Sequence, residues 1–129
     1  MPKILLVDDE PDAEALFRQN FRREIRKNQY EFMYAQSGHE ALEILVSPIP
    51  PDVLLVLSDI NMPGMSGLEL LDEVKSRAPD LPVIMVTAYG DKGTETEAVR
   101  RGARGLVSKP VNFEDLKNSL AIMVDEISQ

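Results

Sequence analysis

Apolar positions in this chain follow two rhythms. Five short runs carry the first: "KILLVDD" (residues 3–9), "YEFMYAQS" (30–37), "DVLLVLSD" (52–59), "LPVIMVTA" (81–88) and "RGLVSKP" (104–110). The first, third and fourth are nearly continuous and rich in Val, Ile and Leu. Such runs fit parallel strands covered on both faces. The second alternates more and the fifth is short, which predicts that these two lie at the sheet edges.

The second rhythm is helical and fills the gaps. Ala13, Leu16, Phe17, Phe21 and Ile25 predict one apolar helix face after the first run. Pro11 suits the first turn of that helix, where its missing N–H costs nothing. "SGHEALEIL" (37–45) opens with Ser37 and Glu40 at capping-box spacing. The same spacing returns at Ser66/Glu69 before Leu71 and Val74, and at Thr94/Glu97 before Ala98. Asn112 is placed to cap a last helix whose apolar face is Leu116, Leu120, Val124 and Ile127.

Strand and helix thus alternate five times. That order predicts a three-layer α/β domain, (βα)5, with a doubly wound parallel sheet and right-handed crossovers. For five strands the flavodoxin-like order 2-1-3-4-5 is expected. "SPIPPD" (47–52) reads as a connection inside the domain.

Bulk properties narrow the function. The 129 residues are the size of one domain, and 43% hydrophobic with 28% charged is a globular balance. There is no cysteine, hence no disulfide and no thiolate metal site. A net charge of −8 with a pI near 4.6 argues against direct nucleic-acid binding and suits a protein that holds cations. No targeting segment or membrane span is visible, so a cytoplasmic location is the default expectation.

The chemistry sits where the runs end. The first run ends in Asp8 and Asp9, the third in Asp59, the fourth passes Thr87 to Ala88, and the fifth reaches Lys109. In a parallel sheet these ends share one edge, where ligands bind. Taken alone, Asp59 is an ordinary turn residue, and Asp8 and Asp9 are helix-start charges. Taken together, three carboxylates need a cation to stay ionised, and oxygen ligands select a hard one such as Mg2+. Lys109 can act as a point charge on phosphate, and the Thr87 hydroxyl can donate to it. Asp59 can attack phosphorus, as carboxylates do in aspartyl-phosphate enzymes.

The fragments "LLVDDEPD", "SDINMPGMSG", "VIMVTAYGD" and "GARGLVSKP" jointly resemble the receiver domain of bacterial two-component response regulators, over essentially the whole chain. The resemblance implies one receiver domain spanning 1–129. Asp59 would be the phosphoacceptor. Asp8 (directly or through water), Asp9, Asp59 and the backbone carbonyl of Asn61 would organise Mg2+ or Mn2+. Thr87, Lys109 and the backbone N–H groups of Asn61 and Ala88 would contact the phosphoryl oxygens. The Lys109–Pro110 peptide would be cis, as is usual in the family. The donor would be a histidine kinase or a histidine phosphotransfer protein, and the output an unspecified downstream partner or domain. Such a module catalyses only its own phosphorylation and dephosphorylation and is not a conventional enzyme. One departure stands out: Leu106 occupies the position where receivers usually carry Tyr or Phe. It touches the usual readout through an aromatic rotamer and leaves the phosphorylation chemistry intact. Tyr89, two after Thr87, is a candidate influence on phosphoryl lifetime.

Other features have plainer readings. His39 is a surface residue in a first helical turn. Arg18, Arg22, Arg23, Arg26 and Lys27 form a solvated basic face, with docking of an acidic partner as the alternative. Met62 and Met65 suit loop packing. Rival functions fit less well. A haloacid-dehalogenase-type phosphatase would carry a second Asp where this chain has Asn61. A flavin- or nucleotide-binding domain would follow its first strand with a Gly/Ser/Thr-rich phosphate loop, where this chain has "DDEPD". A phosphorylation-independent interaction module is disfavoured by the intact acidic site, though Leu106 leaves that alternative open.

Overall fold

The computed structural model describes residues 2–47, 52–88 and 91–127. Its five strands are β1 (Lys3–Val7), β2 (Glu31–Ala35), β3 (Val53–Asp59), β4 (Val83–Ala88) and β5 (Gly105–Lys109). They form one parallel sheet in the order β2-β1-β3-β4-β5, with the alternating β2 and the short β5 at the edges as expected. The helices are α1 (Asp12–Asn20), α2 (Arg22–Arg26), α3 (Gly38–Leu45), α4 (Gly67–Arg77), α5 (Lys92–Arg100) and α6 (Phe113–Ile127).

The continuous runs are buried on both faces. Leu5, Val7, Val56, Val83 and Met85 meet Ala41 of α3, Leu70, Leu71 and Val74 of α4, and Ala98 of α5. Ile4, Leu6, Leu55, Leu57, Ile84 and Val86 meet Phe17, Phe21, Leu116 and Leu120 on the other side. All four phenylalanines gather in this second layer. Phe17 meets Phe113 edge-on at 5.1 Å, and Phe21 lies 5.0 Å from Phe32. These aromatic contacts fix α1 and α6 against the face from which Asp59 and Lys109 project.

The first helical segment differs from expectation. Instead of one helix it forms α1 and α2, divided at Phe21, whose backbone (φ −104°, ψ 14°) leaves the helical region. The break seats Phe21 fully inside the aromatic layer. Leu16 is not core either: it is half exposed, on the rim of a cavity beside Asp59.

Caps set the helix starts. Ser66 and Glu69 form the complete reciprocal box, and Ser37 accepts from the Glu40 N–H, whose own side chain accepts from Gln36. Asn112 caps α6 through the Asp115 N–H at 3.1 Å. Thr94 is not a cap. Asp91 caps α5, accepting from the Thr94 N–H at 3.2 Å and its hydroxyl at 2.7 Å. Glu97 pairs with Arg100 and Arg101 instead. The Thr94 hydroxyl, then its N–H, hold the Asp91 carboxyl below the usual carboxylate range. A carboxyl depressed in the folded state contributes stability above its unfolded pKa, and loses it as pH falls through the folded value. Acidification from about pH 5 to about pH 2 should therefore fray the first turn of α5, read from Cα chemical shifts. Asp91→Ala should be frayed throughout; identical profiles for the two proteins would contradict the cap.

The "SPIPPD" connection falls largely outside the described residues, as does Tyr89. Among the described residues, no helix is long and apolar enough to cross a membrane.

Candidate phosphoacceptor and metal site

Strand register brings the sequence-distant polar residues to one edge. Val7 pairs with Ser58, Asp59 with Val86, Thr87 with Ser108, and Ala88 with Lys109. Asp8, just past the end of β1, and Asp59, the last residue of β3, are therefore neighbours. Asp8, Asp9 and Asp59 each offer a carboxylate oxygen within 4.8 Å of the others. Asp59 is 5% exposed and Asp8 9%, so these two are largely withdrawn from water, while Asp9 is partly exposed.

Lys109 reaches the same point. Its Nζ lies 3.1 Å from Asp59 Oδ2. Burial works to lower the Lys109 pKa, but the hydrogen bond to Asp59 and the charges of Asp59 and Asp8 outweigh it, and the net shift is upward. Lys109 is thus a firm cation. Burial raises the Asp8 pKa and the Asp59 charge adds to it, against the Glu10 N–H and Lys109. One ammonium does not balance three carboxylates, and oxygen donors so arranged fit a hard divalent cation.

The backbone around Asp59 is tightly set. The Ile60 N–H donates to Val86 at 3.2 Å, and the Gly67 N–H donates to the Ile60 carbonyl at 2.7 Å. Gly64 turns the chain at φ +75°. Among the described residues, neither the N–H nor the carbonyl of Asn61 takes a hydrogen bond. Met62 is buried in the core and Met65 packs beside Gly38, as loop packing predicts.

Other predicted residues lie nearby with less direct contact. Thr87 is buried on the face of β4 shared with Met85 rather than with Val86, and among the described residues no hydrogen bond joins it to Asp59 or Lys109. Ala88 is exposed, and the Lys109–Pro110 peptide is cis. Leu106, 36% exposed, faces outward on β5, on the side opposite Val107 and Lys109. His39 and the basic side chains Arg22, Arg23, Arg26 and Lys27 are exposed, while Arg18 pairs with Glu14 and donates to the Phe32 carbonyl. One contributor was not legible in the sequence: Tyr34 on β2, whose single O–H is shared between the carbonyls of Asp8 and Glu10. A tyrosine in an alternating edge strand carries no motif that signals such a contact.

An acidic cluster beside a buried Asp and a strand-end Lys, on a 2-1-3-4-5 sheet, defines a receiver-type signalling module. The chain belongs to the response regulator receiver domain family, whose model matches residues 4–121. It is 35% identical over 119 residues to the response regulator protein FleR of Pseudomonas aeruginosa, covering 92% of this chain and 24% of FleR. Against the regulatory protein AtoC of Escherichia coli it is 39% identical over 114 residues, covering 88% and 23% respectively. The chain therefore spans about a quarter of the length of these curated relatives. Among solved structures, response regulator TrrA of Thermotoga maritima in complex with Mg2+–BeF superposes with a TM-score of 0.78, at 34% identity over 95% of this chain and 99% of that one. Chemotaxis protein CheY4 of Vibrio cholerae gives a TM-score of 0.81 at 28% identity, over 95% of this chain and 98% of that one. Receiver domains are signalling modules of two-component systems and bind Mg2+ at an acidic pocket.

Proposed function

We propose that the chain, as one receiver domain, is a phosphoacceptor switch in which Asp59 takes a phosphoryl group from a phosphohistidine of a histidine kinase or histidine phosphotransfer protein. One observation carries this reading: a buried Asp59 ion-paired to Lys109 at 3.1 Å, within a cluster of three carboxylates. Asp8, Asp9, Asp59 and the Asn61 carbonyl would hold Mg2+ or Mn2+. That cation, when bound, supplies the charge neutralisation that lets a phosphoryl group approach three carboxylates.

The chain's own groups do the rest. A carboxylate oxygen of Asp59 attacks phosphorus; the P–N bond to the donor imidazole breaks, and its electron pair returns to nitrogen. Lys109 is a fixed positive charge beside the attacking oxygen, and the N–H groups of Asn61 and Ala88 face the phosphoryl oxygens. Positioning and charge supply most of the catalysis in such a transfer. Thr87 then swings toward the new acyl phosphate, and the surface over residues 89–109, with Leu106 and Pro110, shifts to regulate a downstream partner or output domain by population shift. Hydrolysis of the acyl phosphate by water restores Asp59. With no dedicated substrate turned over, the module is not a conventional enzyme. It works in the cytoplasm and, at a net charge of −8, does not itself bind nucleic acid.

Intact-mass spectrometry tests the reading. Wild type incubated with Mg2+ and a small-molecule phosphodonor should gain one phosphoryl group. Asp59→Asn, or wild type in excess chelator, should gain none. An equal adduct on Asp59→Asn would sink the mechanism.

A further inference from the structure

We propose that Tyr34 is a positioning residue for the cation site: its hydroxyl clamps the loop after β1 and sets the preference for a small octahedral cation. The inference rests on the reading that Asp8, Asp9 and Asp59 hold that cation.

The clamp is made by one hydroxyl on the edge strand. Tyr34 pairs with Leu6 across the β1–β2 ladder, and its ring packs against the aromatic layer. The hydroxyl extends past the end of β1, and its single O–H is shared between two acceptors, the Asp8 carbonyl at 2.7 Å and the Glu10 carbonyl at 3.0 Å, with the shorter contact to Asp8 dominant. Asp9, one of the three clustered carboxylates, lies between these two anchored residues. Fixing the carbonyls on either side of Asp9 restricts the backbone torsions that aim its side chain. The bond from the Glu10 N–H to Asp8 Oδ1 at 2.9 Å lies within the loop and travels with it. Tyr34, by contrast, ties the loop to the sheet. The Asp8 N–H donates to Ala35 of the same strand at 3.1 Å, so β2 holds this loop at several points.

A fixed loop matters more to some cations than to others. Mg2+ demands near-octahedral geometry at about 2.0–2.1 Å, whereas Ca2+ accepts roughly six to eight ligands at about 2.3–2.6 Å in flexible arrangements. Loosening the Asp8–Glu10 segment therefore penalises Mg2+ first. Tyr34→Phe makes that change while keeping the ring and its packing.

Calorimetric titration of the full chain with MgCl2 and with CaCl2 tests this. In Tyr34→Phe the Mg2+ dissociation constant should rise roughly three- to tenfold, the effect of one lost hydrogen bond. The Ca2+ constant should stay within about twofold. In metal-free protein the Glu10 amide should exchange faster in the variant, with β4 amides unchanged. A readout independent of any variant is the Tyr34 hydroxyl proton, which should exchange slowly in wild type. Equal Mg2+ affinity, equal weakening of both cations, or a fast-exchanging wild-type hydroxyl each overturns the clamp. A wild-type protein that binds no Mg2+ overturns the cation reading itself, and the clamp's role with it.

Discussion

Gly67→Ala is expected to destabilise the fold by about 3 kcal/mol, the upper end of ordinary overpacking. A Cβ at this position would stand 2.2 Å from the Asp59 carbonyl oxygen and 2.7 Å from Ile60 Cα. Both are backbone atoms at the end of a central strand and cannot rotate away. The Met85 terminal methyl, also 2.7 Å away, could move, but that does not relieve the other two contacts. Gly67 is also the first residue of α4, and its N–H donates to the Ile60 carbonyl. The clash therefore pushes α4 from the strand that carries Asp59. Urea denaturation should show a lower midpoint at similar slope. Gly93→Ala is the control, since nothing lies within 4 Å of its Cβ position on α5, and it should be neutral or mildly stabilising. A Gly67→Ala protein as stable as wild type would contradict this account of how α4 seats on β3.

Lys109→Gln should slow phosphorylation from a small-molecule donor by about two to three orders of magnitude, as loss of one fixed charge or donor at a reacting centre does. The ammonium touches Asp59 Oδ2, the atom beside which charge develops, so its loss falls on the rate. Cation affinity should move the other way or not at all, because removing a positive charge leaves the three carboxylates more negative. Metal-free Lys109→Gln should also be less stable than wild type, because the largely buried Asp59 loses its ion-pair partner. Mg2+ should recover part of that loss by binding the folded state. Rate and Mg2+ half-saturation, measured across a Mg2+ titration, separate these effects. A weakened half-saturation with an unchanged rate at saturating Mg2+ would assign Lys109 to shaping the cation site through Asp59 rather than to the transfer.

Much of this molecule was readable from its apolar pattern. β1, β3 and β4 announced themselves because both of their faces are covered, which forces uninterrupted Val, Ile and Leu. The site was readable because parallel topology collects strand ends, so residues as far apart as Asp8 and Lys109 had to meet. What escaped depends on local backbone geometry and long reach. The break at Phe21 leaves the 3.6-residue period intact, so the pattern carries through it from α1 into α2. The start of α5 was misplaced because two caps compete: "TETE" offers Thr94 with Glu97, but Asp91 lies closer to the strand and takes the first turn. Leu16 keeps helical spacing yet borders an open cavity, a distinction between core and rim that spacing does not make. Tyr34 acts through its hydroxyl tip, across strands 26 residues apart from Asp8, and leaves no trace in local sequence.

The most direct test of the central claim is the site of modification itself. Wild-type protein is treated with Mg2+ and a small-molecule phosphodonor, the acyl phosphate is reduced with borohydride, and the modified residue is mapped by peptide mass spectrometry. The expected result is modification of Asp59 alone, and none when Mg2+ is chelated. Modification of Asp8 or Asp9 with Asp59 untouched, or a phosphoryl group carried on a hydroxyl side chain, would contradict it.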